Sequence, residues 1–437
     1  MFHNVLRNRC MGIIMKLHLE NMIVRETGIM DRDSLDKYTV KKIKETINYA
    51  KERSRFYKER LKEINTDEIN ALKDFTLAPF TYPKELAEKA NDFLCVPQKY
   101  VSRIVTLKTS GTTAEGGKRI FFTDKDLNLT VNFFCEGFKA MLSESDRVMI
   151  MMPGETYGSV GDIIKKSLDR LNIKSFIYGA LKDCDDAGNF IEINNINSIV
   201  ALPIQAMYLS RIKEDIFKNS IEKLMLSADY VPEAVIKRFK ENHNINVFTH
   251  YGLTETGYGC GVECECLNGY HIRENDIFLE IIDPVTGQAL QDESMGEIVI
   301  TTFNREAMPL IRYRTGDYGL YKSKRCKCGT FLKTLERSKG RIENEIFINN
   351  RYIHMSELDE LFFQYEQVLD YSINSIDKNI YIKIFLLEEC PDLQEKIKKE
   401  IFEKYNVSIN LTTEKKEDVF LASNTMIKRT VGQRICT

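Results

Sequence analysis

The sequence predicts an α/β protein: a large N-terminal domain with mixed sheets and flanking helices, then a small α+β C-terminal domain. Three observations predict it. Between residues 147 and 252, short apolar runs alternate with helical stretches, the rhythm of a sheet covered on both faces. After Gly257, "IFLEIIDPVTGQAL" and "GEIVITTF" alternate like antiparallel strands around the turn "DPVTG". The chain has 437 residues, more than the roughly 250–300 that one hydrophobic core supports.

Taken in order, "MFHNVLRNRCMGIIMKLHLENMIV" has no apolar run long enough for a signal peptide or a membrane span. Residues 1–14 read as an extension, since Met11 and Met15 are alternative starts. Residues 36–64 place Val40, Ile43, Ile47, Ala50 and Leu61 near helical spacing among charges, predicting one amphipathic helix. "RVMIMMP" (147–153), "NSIVALP" (197–203), "IEKLMLSADYV" and "NINVFTHYG" read as strands. "SVGDIIKKSLDRLNI" and "EAVIKRFKENH" read as the helices between them. The domains divide at Gly340-Arg341, giving 1–340 and 341–437. The second part has a helix "HMSELDELFFQY", a strand "NIYIKIFLL" and a helix "PDLQEKIKKEIFEKYN". No Ser/Gly linker separates the parts, so any hinge is short.

Composition excludes some partners. With 62 basic and 64 acidic residues the net charge is −2, too weak a field to gather nucleic acid or anionic lipid. Neither nucleic acid nor membrane is expected. Eleven cysteines, an odd number, suit reduced thiols in the cytoplasm, some of them ligating metal. A monomer or homodimer is expected.

"TSGTTAEGGKR" (109–119) looks at first like a phosphate loop of the Walker type, G-x-x-x-x-G-K-[ST]. That reading fails, because Thr112 stands where glycine is needed and Arg119 follows Lys118 in place of Ser or Thr. Three other polar stretches, the last two of them glycine-rich, also adjoin apolar runs: "SADYVPE" (227–233), "THYGLTETGYG" (249–259) and "RYRTGDYG" (312–319). Polar loops at strand ends are where an open α/β sheet binds its ligand. Thr109, Ser110, Thr112 and Thr113 offer hydroxyls, Gly111 admits a close anion, and Lys118 adds charge. Glu255 suits a hard cation such as Mg²⁺. Asp317 can accept from two sugar hydroxyls, and Tyr251 offers an aromatic face for a base.

Together these stretches resemble the adenylate-forming enzymes, most closely their phenylacetate–CoA ligase-like branch. "TSGTTAEGGKR" is similar to the ATP-phosphate loop of that superfamily, although about a residue longer. "HYGLTE" is similar to its adenine and Mg²⁺ motif, "RYRTGD" to its ribose motif and "GRIENE" to its hinge. The resemblance implies that a carboxylic acid attacks the α-phosphate of ATP to give an acyl-adenylate and pyrophosphate. A rotation of the C-terminal domain then lets CoA displace AMP. It also implies that Thr109 to Thr113 and Lys118 hold the triphosphate and Glu255 the Mg²⁺. Ser227, Ala228, Asp229, Tyr251, Gly252 and Thr254 would line the nucleotide site. Asp317 would bind ribose with Arg341 assisting, and Glu343 or Asn344 would be the pivot, where the family commonly has Asp.

One position departs from the pattern. The family has a lysine near its C-terminus that contacts the reacting carboxylate and phosphate. In "FLASNTMIKRTVGQRICT", aligning Arg429 and Arg434 with the family's arginines puts Met426 or Thr425 there. Lys428 is the nearby cation and the candidate substitute. Two alternatives follow: a nucleotidyl synthetase joining AMP to a phenolic cofactor, and a nucleotide-binding sensor with impaired catalysis.

Two C-x-C pairs and a histidine supply a second candidate site. Cys260, Cys264, Cys266, Cys326 and Cys328, with or without His271, could hold a structural Zn²⁺ by joining two loops. Gly154, Tyr157, Gly158 and Met207 fall in stretches expected to border the acyl pocket, predicting an aromatic or medium apolar acid.

Overall fold

The computed structural model describes residues 18–107, 117–348, 351–376 and 379–415. The chain divides into two compact units. The first comprises the chain up to Glu144, Glu155–Asn172 and His250–Ser338; the second comprises Ser145–Gly154, Ile173–Thr249 and the chain from Lys339.

In the first unit, the expected helix over 36–64 is two helices, Arg32–Arg53 and Arg55–Arg60. Ser54 divides them. Its φ of −92° and ψ of 126° are extended, and its hydroxyl accepts from the Tyr57 N–H at 3.2 Å while donating to the Asp92 carbonyl at 2.8 Å. A serine that caps the next helix with its side chain offers the backbone an alternative to continuing the first. Leu35, Ile43, Ile47 and Ala50 line the buried face of the longer helix.

The helix Asp124–Lys139 starts with a reciprocal cap. The Asp126 N–H donates to the Thr123 hydroxyl at 3.2 Å, and the Thr123 N–H donates to the Asp126 carboxylate at 3.0 Å. The Asp126 carboxylate also accepts from the N–H groups of Glu306 at 2.8 Å and Ala307 at 3.1 Å. One buried carboxylate thus joins the helix start to the segment that follows the strand Gly296–Thr302.

That strand is the middle of an antiparallel sheet, between Ile277–Ile282 and Tyr313–Gly319. All seven of its residues are buried. The expected alternation of buried and exposed positions therefore fails here, because both faces of the middle strand are covered.

In the second unit, five parallel strands run in the order Lys174–Ile177, Arg147–Ile150, Ser198–Ala201, Lys223–Leu226, Asn246–Thr249. The helices Cys184–Asn194, Pro203–Ile212 and Glu233–His243 connect successive strands. The same unit holds the hairpin Glu345–Ile348/Arg351–His354 and the helix Met355–Phe363. Strand Val368–Ile376 pairs antiparallel with Asn379–Leu386, which pairs parallel with Ile409–Lys415.

Within this unit Glu360 meets the N-terminus of Glu233–His243. It accepts from the Tyr230 hydroxyl at 2.7 Å and from the N–H groups of Glu233 at 2.7 Å and Ala234 at 3.2 Å. These are donors that a helix start leaves unpaired, and a carboxylate also complements its dipole.

The last residues of the strand Asn246–Tyr251, His250 and Tyr251, belong to the first unit and pair antiparallel with Gly261–Glu263. Tyr270–Ile272 and Thr334–Leu335 extend that ladder.

Candidate active site

Strand Lys118–Phe122 pairs antiparallel with Arg103–Leu107, with Lys118 opposite Leu107. Residues 108–116 join them, so Thr109, Ser110, Gly111, Thr112 and Thr113 lie outside the described residues. Where the loop re-enters the strand, Gly117 has φ +64°, and a Cβ there would stand 2.7 Å from the Leu107 carbonyl oxygen. Only glycine fits that backbone.

Lys118 is buried, and its ammonium contacts a carboxylate oxygen of Glu255. Tyr313 closes the group: its hydroxyl lies 3.0 Å from the Lys118 Nζ, from which it accepts, and donates to Glu255 Oε1 at 2.9 Å. Lys118, Glu255 and Tyr313 are 6%, 5% and 1% exposed. Three stretches far apart in sequence therefore meet at one carboxylate. A buried carboxylate needs a counter-charge, and Lys118 supplies it.

Glu255 sits in the short 3₁₀ turn Thr254–Thr256. Gly252, just before the turn, cannot carry a side chain, because a Cβ would stand 2.0 Å from the Tyr258 carbonyl oxygen. The turn is folded tightly on itself, which fixes the direction of Glu255.

The strand leading into the turn carries Tyr251, whose hydroxyl donates to Asp317 Oδ2 at 3.0 Å. Both residues are buried. Burial, and then the Asp317 charge, push the Tyr251 hydroxyl well above its ordinary pKa. The Asp317 N–H donates to the Thr315 hydroxyl at 3.0 Å, and that hydroxyl donates to the Ile298 carbonyl at 2.7 Å, which fixes the carboxylate's backbone.

The arginines of "RYRTGD" have internal work. Arg312 holds Glu280 through two bonds, at 3.1 and 2.9 Å, and donates to the carbonyls of Thr76 at 2.9 Å and Ala78 at 2.8 Å. Arg314 donates from Nε to Glu297 at 2.8 Å.

The other predicted nucleotide, hinge and tail residues belong to the second unit or lie outside the described residues. Ser227, Ala228 and Asp229 lie in the second unit, after the strand Lys223–Leu226. The Ser227 N–H donates to the Ala201 carbonyl at 3.1 Å, Ala228 has φ +71°, and Asp229 Oδ1 accepts from the Tyr230 N–H at 2.9 Å. Arg341, also in the second unit, precedes the 3₁₀ turn Ile342–Asn344, which contains Glu343. Thr425, Met426, Lys428, Arg429 and Arg434 lie outside the described residues.

Of the expected acyl-pocket residues, Tyr157 is half exposed and donates to Asp124 at 2.7 Å, while Met207 is buried in the helix Pro203–Ile212. A cleft of about 610 Å³ in the first unit is lined by Lys42, Arg53, Lys125 and Glu306, among others. It contains none of the motif residues. Enclosed volume alone therefore does not mark the site.

Sequence reasoning missed Tyr313 and two arginines. Arg273 contacts the Thr256 carbonyl, and Arg305 lies against Gly257, so both abut the turn that carries Glu255. They are 1% and 7% exposed. Tyr313 could have been found as the second residue of "RYRTGD". The arginines carry no local signal, since only the fold brings them to the turn.

The cysteine cluster contracts to four residues. The ligand atoms of Cys264, His271, Cys326 and Cys328 all lie within 4.8 Å of one another, and Cys260 and Cys266 are outside this group. Cys260 is buried in its own right, and burial pushes its thiol up to about 12.

No protein-family model matches the chain. It is 24% identical over 423 residues to the phenylacetate–coenzyme A ligase of Pseudomonas putida, covering 92% of this chain and 93% of that one. To the enzyme of the same name from Thermus thermophilus it is 25% identical over 362 residues, covering 79% and 78%. Among solved structures, 2-hydroxyisobutyryl-CoA ligase in complex with 2-HIB-AMP matches with a TM-score of 0.82 at 18% identity, covering 93% and 91% of the two chains. An anthranilate CoA ligase in complex with anthranoyl-AMP matches with a TM-score of 0.55 at 16% identity, covering 71% and 62%. The structural likeness establishes a shared fold, with sheets and helices in the larger part and a small β-rich C-terminal part.

Proposed function

We infer that this chain, a homologue of the phenylacetate–coenzyme A ligases of the adenylate-forming superfamily, is an AMP-forming acid–thiol ligase. Its substrates are ATP, a small carboxylic acid and CoA. The observation that carries the reading is the buried meeting of Lys118, Glu255 and Tyr313 from three of the motif stretches. The Tyr251–Asp317 pair lies on two of the same stretches. The sequence relatives and solved neighbours described above are named as CoA ligases. That supports thioester formation over a stable AMP adduct or a silent sensor.

In this reading Thr109 to Thr113 bind the phosphates of ATP, and Lys118 leaves Glu255 to join them. Glu255 would hold Mg²⁺; the fit is chemical, since it is a carboxylate that already faces a cation. When bound, the metal offsets phosphate charge as the α-phosphorus is attacked. Tyr313 orients the Glu255 carboxylate. Asp317 exchanges the Tyr251 hydroxyl for ribose hydroxyls, with Gly252 and Thr254 beside them in the first unit; by the motif resemblance Ser227, Ala228, Asp229 and Arg341 are further nucleotide contacts. Oriented donors and cations of this kind, not covalent help, supply most of the catalysis in phosphoryl chemistry. Residues 341–437 act as the mobile C-terminal domain, turning at Glu343 or Asn344, and Lys428 serves as the missing catalytic cation. The expected acid is aromatic or of medium apolar size.

The test is pyrophosphate release from ATP over a panel of aromatic and short-chain acids, with and without CoA. Acid-dependent AMP and a CoA thioester are expected. Lys428→Ala should slow ATP–pyrophosphate exchange by about 10²–10³, the usual cost of one transition-state donor. Failure of folded protein to bind ATP or AMP at millimolar ligand by calorimetry overturns the reading.

A further inference from the structure

We propose that Cys264, His271, Cys326 and Cys328 form a structural Zn²⁺ site, independent of the ligase reaction. All four belong to the first unit. Their ligand atoms lie within 4.8 Å of one another. The Cys264 and Cys326 sulfurs are 3.6 Å apart, and Cys328 Sγ is 3.4 Å from His271 Nε2. Tetrahedral Zn²⁺ with ordinary bond lengths has S···S edges of about 3.8 Å and S···N edges of about 3.5 Å. Both distances match those values within a few tenths of an ångström. A disulfide would need sulfurs about 2.05 Å apart, and the three cysteines are unbridged.

The backbone presents the ligands in two similar turns. The Leu267 N–H donates to the Cys264 carbonyl at 3.0 Å, and the Gly329 N–H donates to the Cys326 carbonyl at 3.0 Å. The residue closing each turn has positive φ, +46° at Leu267 and +81° at Gly329. In the second turn both cysteines of C-x-C join the cluster. In the first only Cys264 does, and His271 on the strand Tyr270–Ile272 supplies the fourth ligand. Four protein ligands leave no open coordination position, which distinguishes a structural zinc from a catalytic one.

The site lies where cross-linking has an effect. His271 stands opposite Thr334 on one neighbouring strand and opposite Val262 on the other. Val262 in turn pairs with His250, next to Tyr251. A metal bound here pins the loop 322–333 to the ladder that supports Tyr251 and the Glu255 turn. Three short strands of two or three residues gain the staple that their few ladder bonds do not provide.

Elemental analysis of the full chain, purified without added metal and again after incubation with Zn²⁺, tests the proposal. About one zinc per chain is expected. Cys328→Ser should lose it, whereas Cys260→Ser and Cys266→Ser should keep it. Because the Cys328 variant could misfold, Co²⁺ loading of the unaltered chain gives a second reading. Tetrahedral d–d bands with near-ultraviolet thiolate charge transfer are expected. Chelation should lower the Tm by roughly 5 °C or more. Below about one-tenth equivalent of zinc after reconstitution, a Cys264–Cys326 disulfide in non-reducing peptide maps, or equal metal loss from Cys266→Ser and Cys264→Ser would overturn it.

Discussion

Lys118 and Glu255 hold each other's charge out of water, so altering either removes the other's counter-charge. Glu255→Gln leaves an ammonium in a nearly dry pocket and should cost about 3–5 kcal/mol of stability. Adding Lys118→Met removes that stranded charge and should recover much of the loss. Denaturant melts of the two single variants and the double variant form the test cycle; strictly additive losses would show that the pair is not coupled. At this scale the sequence singled out Glu255, Lys118, Tyr251 and Asp317, because each lies in a short motif of unusual composition, and in the fold they meet as two buried pairs. It could not identify Arg273 or Arg305. Their significance arises from burial beside a turn, and burial of an arginine leaves no mark on its neighbours in sequence.

Among the elements, the helix Glu233–His243 was legible to the residue, since its apolar spacing and its preceding proline agree. The long helix over 36–64 was legible in kind but not in continuity. Helical periodicity passes through Ser54 unbroken, and what stops the first helix is a hydroxyl reaching Asp92, 38 residues away. The Glu360 contact was also invisible, because it pairs the helix Met355–Phe363 with a helix start more than a hundred residues earlier. Removing it with Glu360→Ala should cost about 1–2 kcal/mol at that start, as caps generally do. Amide exchange at Glu233 and Ala234 should then quicken by roughly 5–30-fold. Unchanged protection at both amides would mean that the carboxylate contributes nothing there.

For the molecule as a whole, stability should decline in mild acid. His250 is buried beside Phe133 and Phe134, and burial, reinforced by the Arg273 charge, pulls its pKa down to about 3. The unfolded chain takes up that proton near pH 6.5. Between those values the unfolded state binds more protons, so stability falls with pH by about 1.4 kcal/mol per unit from this group alone. Urea titrations from pH 7 down to pH 4 should show the slope, and His250→Gln should flatten it by one proton's worth. An identical slope in the variant would assign the acid sensitivity to other groups. The fold class was legible at this scale because strand and helix alternate audibly along the chain. Contacts group the chain into two units that alternate along it, an interleaving that no local pattern in the sequence marks.

The polypeptide passes between the two units at 144/145, 154/155, 172/173, 249/250 and 338/339. The first unit therefore cannot be completed until Ser338 has left the ribosome, and the second still awaits everything from Lys339 onward. A nascent chain arrested near residue 250 would own the five parallel strands but lack the later partners of both bodies. Translation must therefore reach Ser338 before the first body can close and pass Lys339 before the second can, so the apolar parallel strands are made well ahead of the segments that complete their unit.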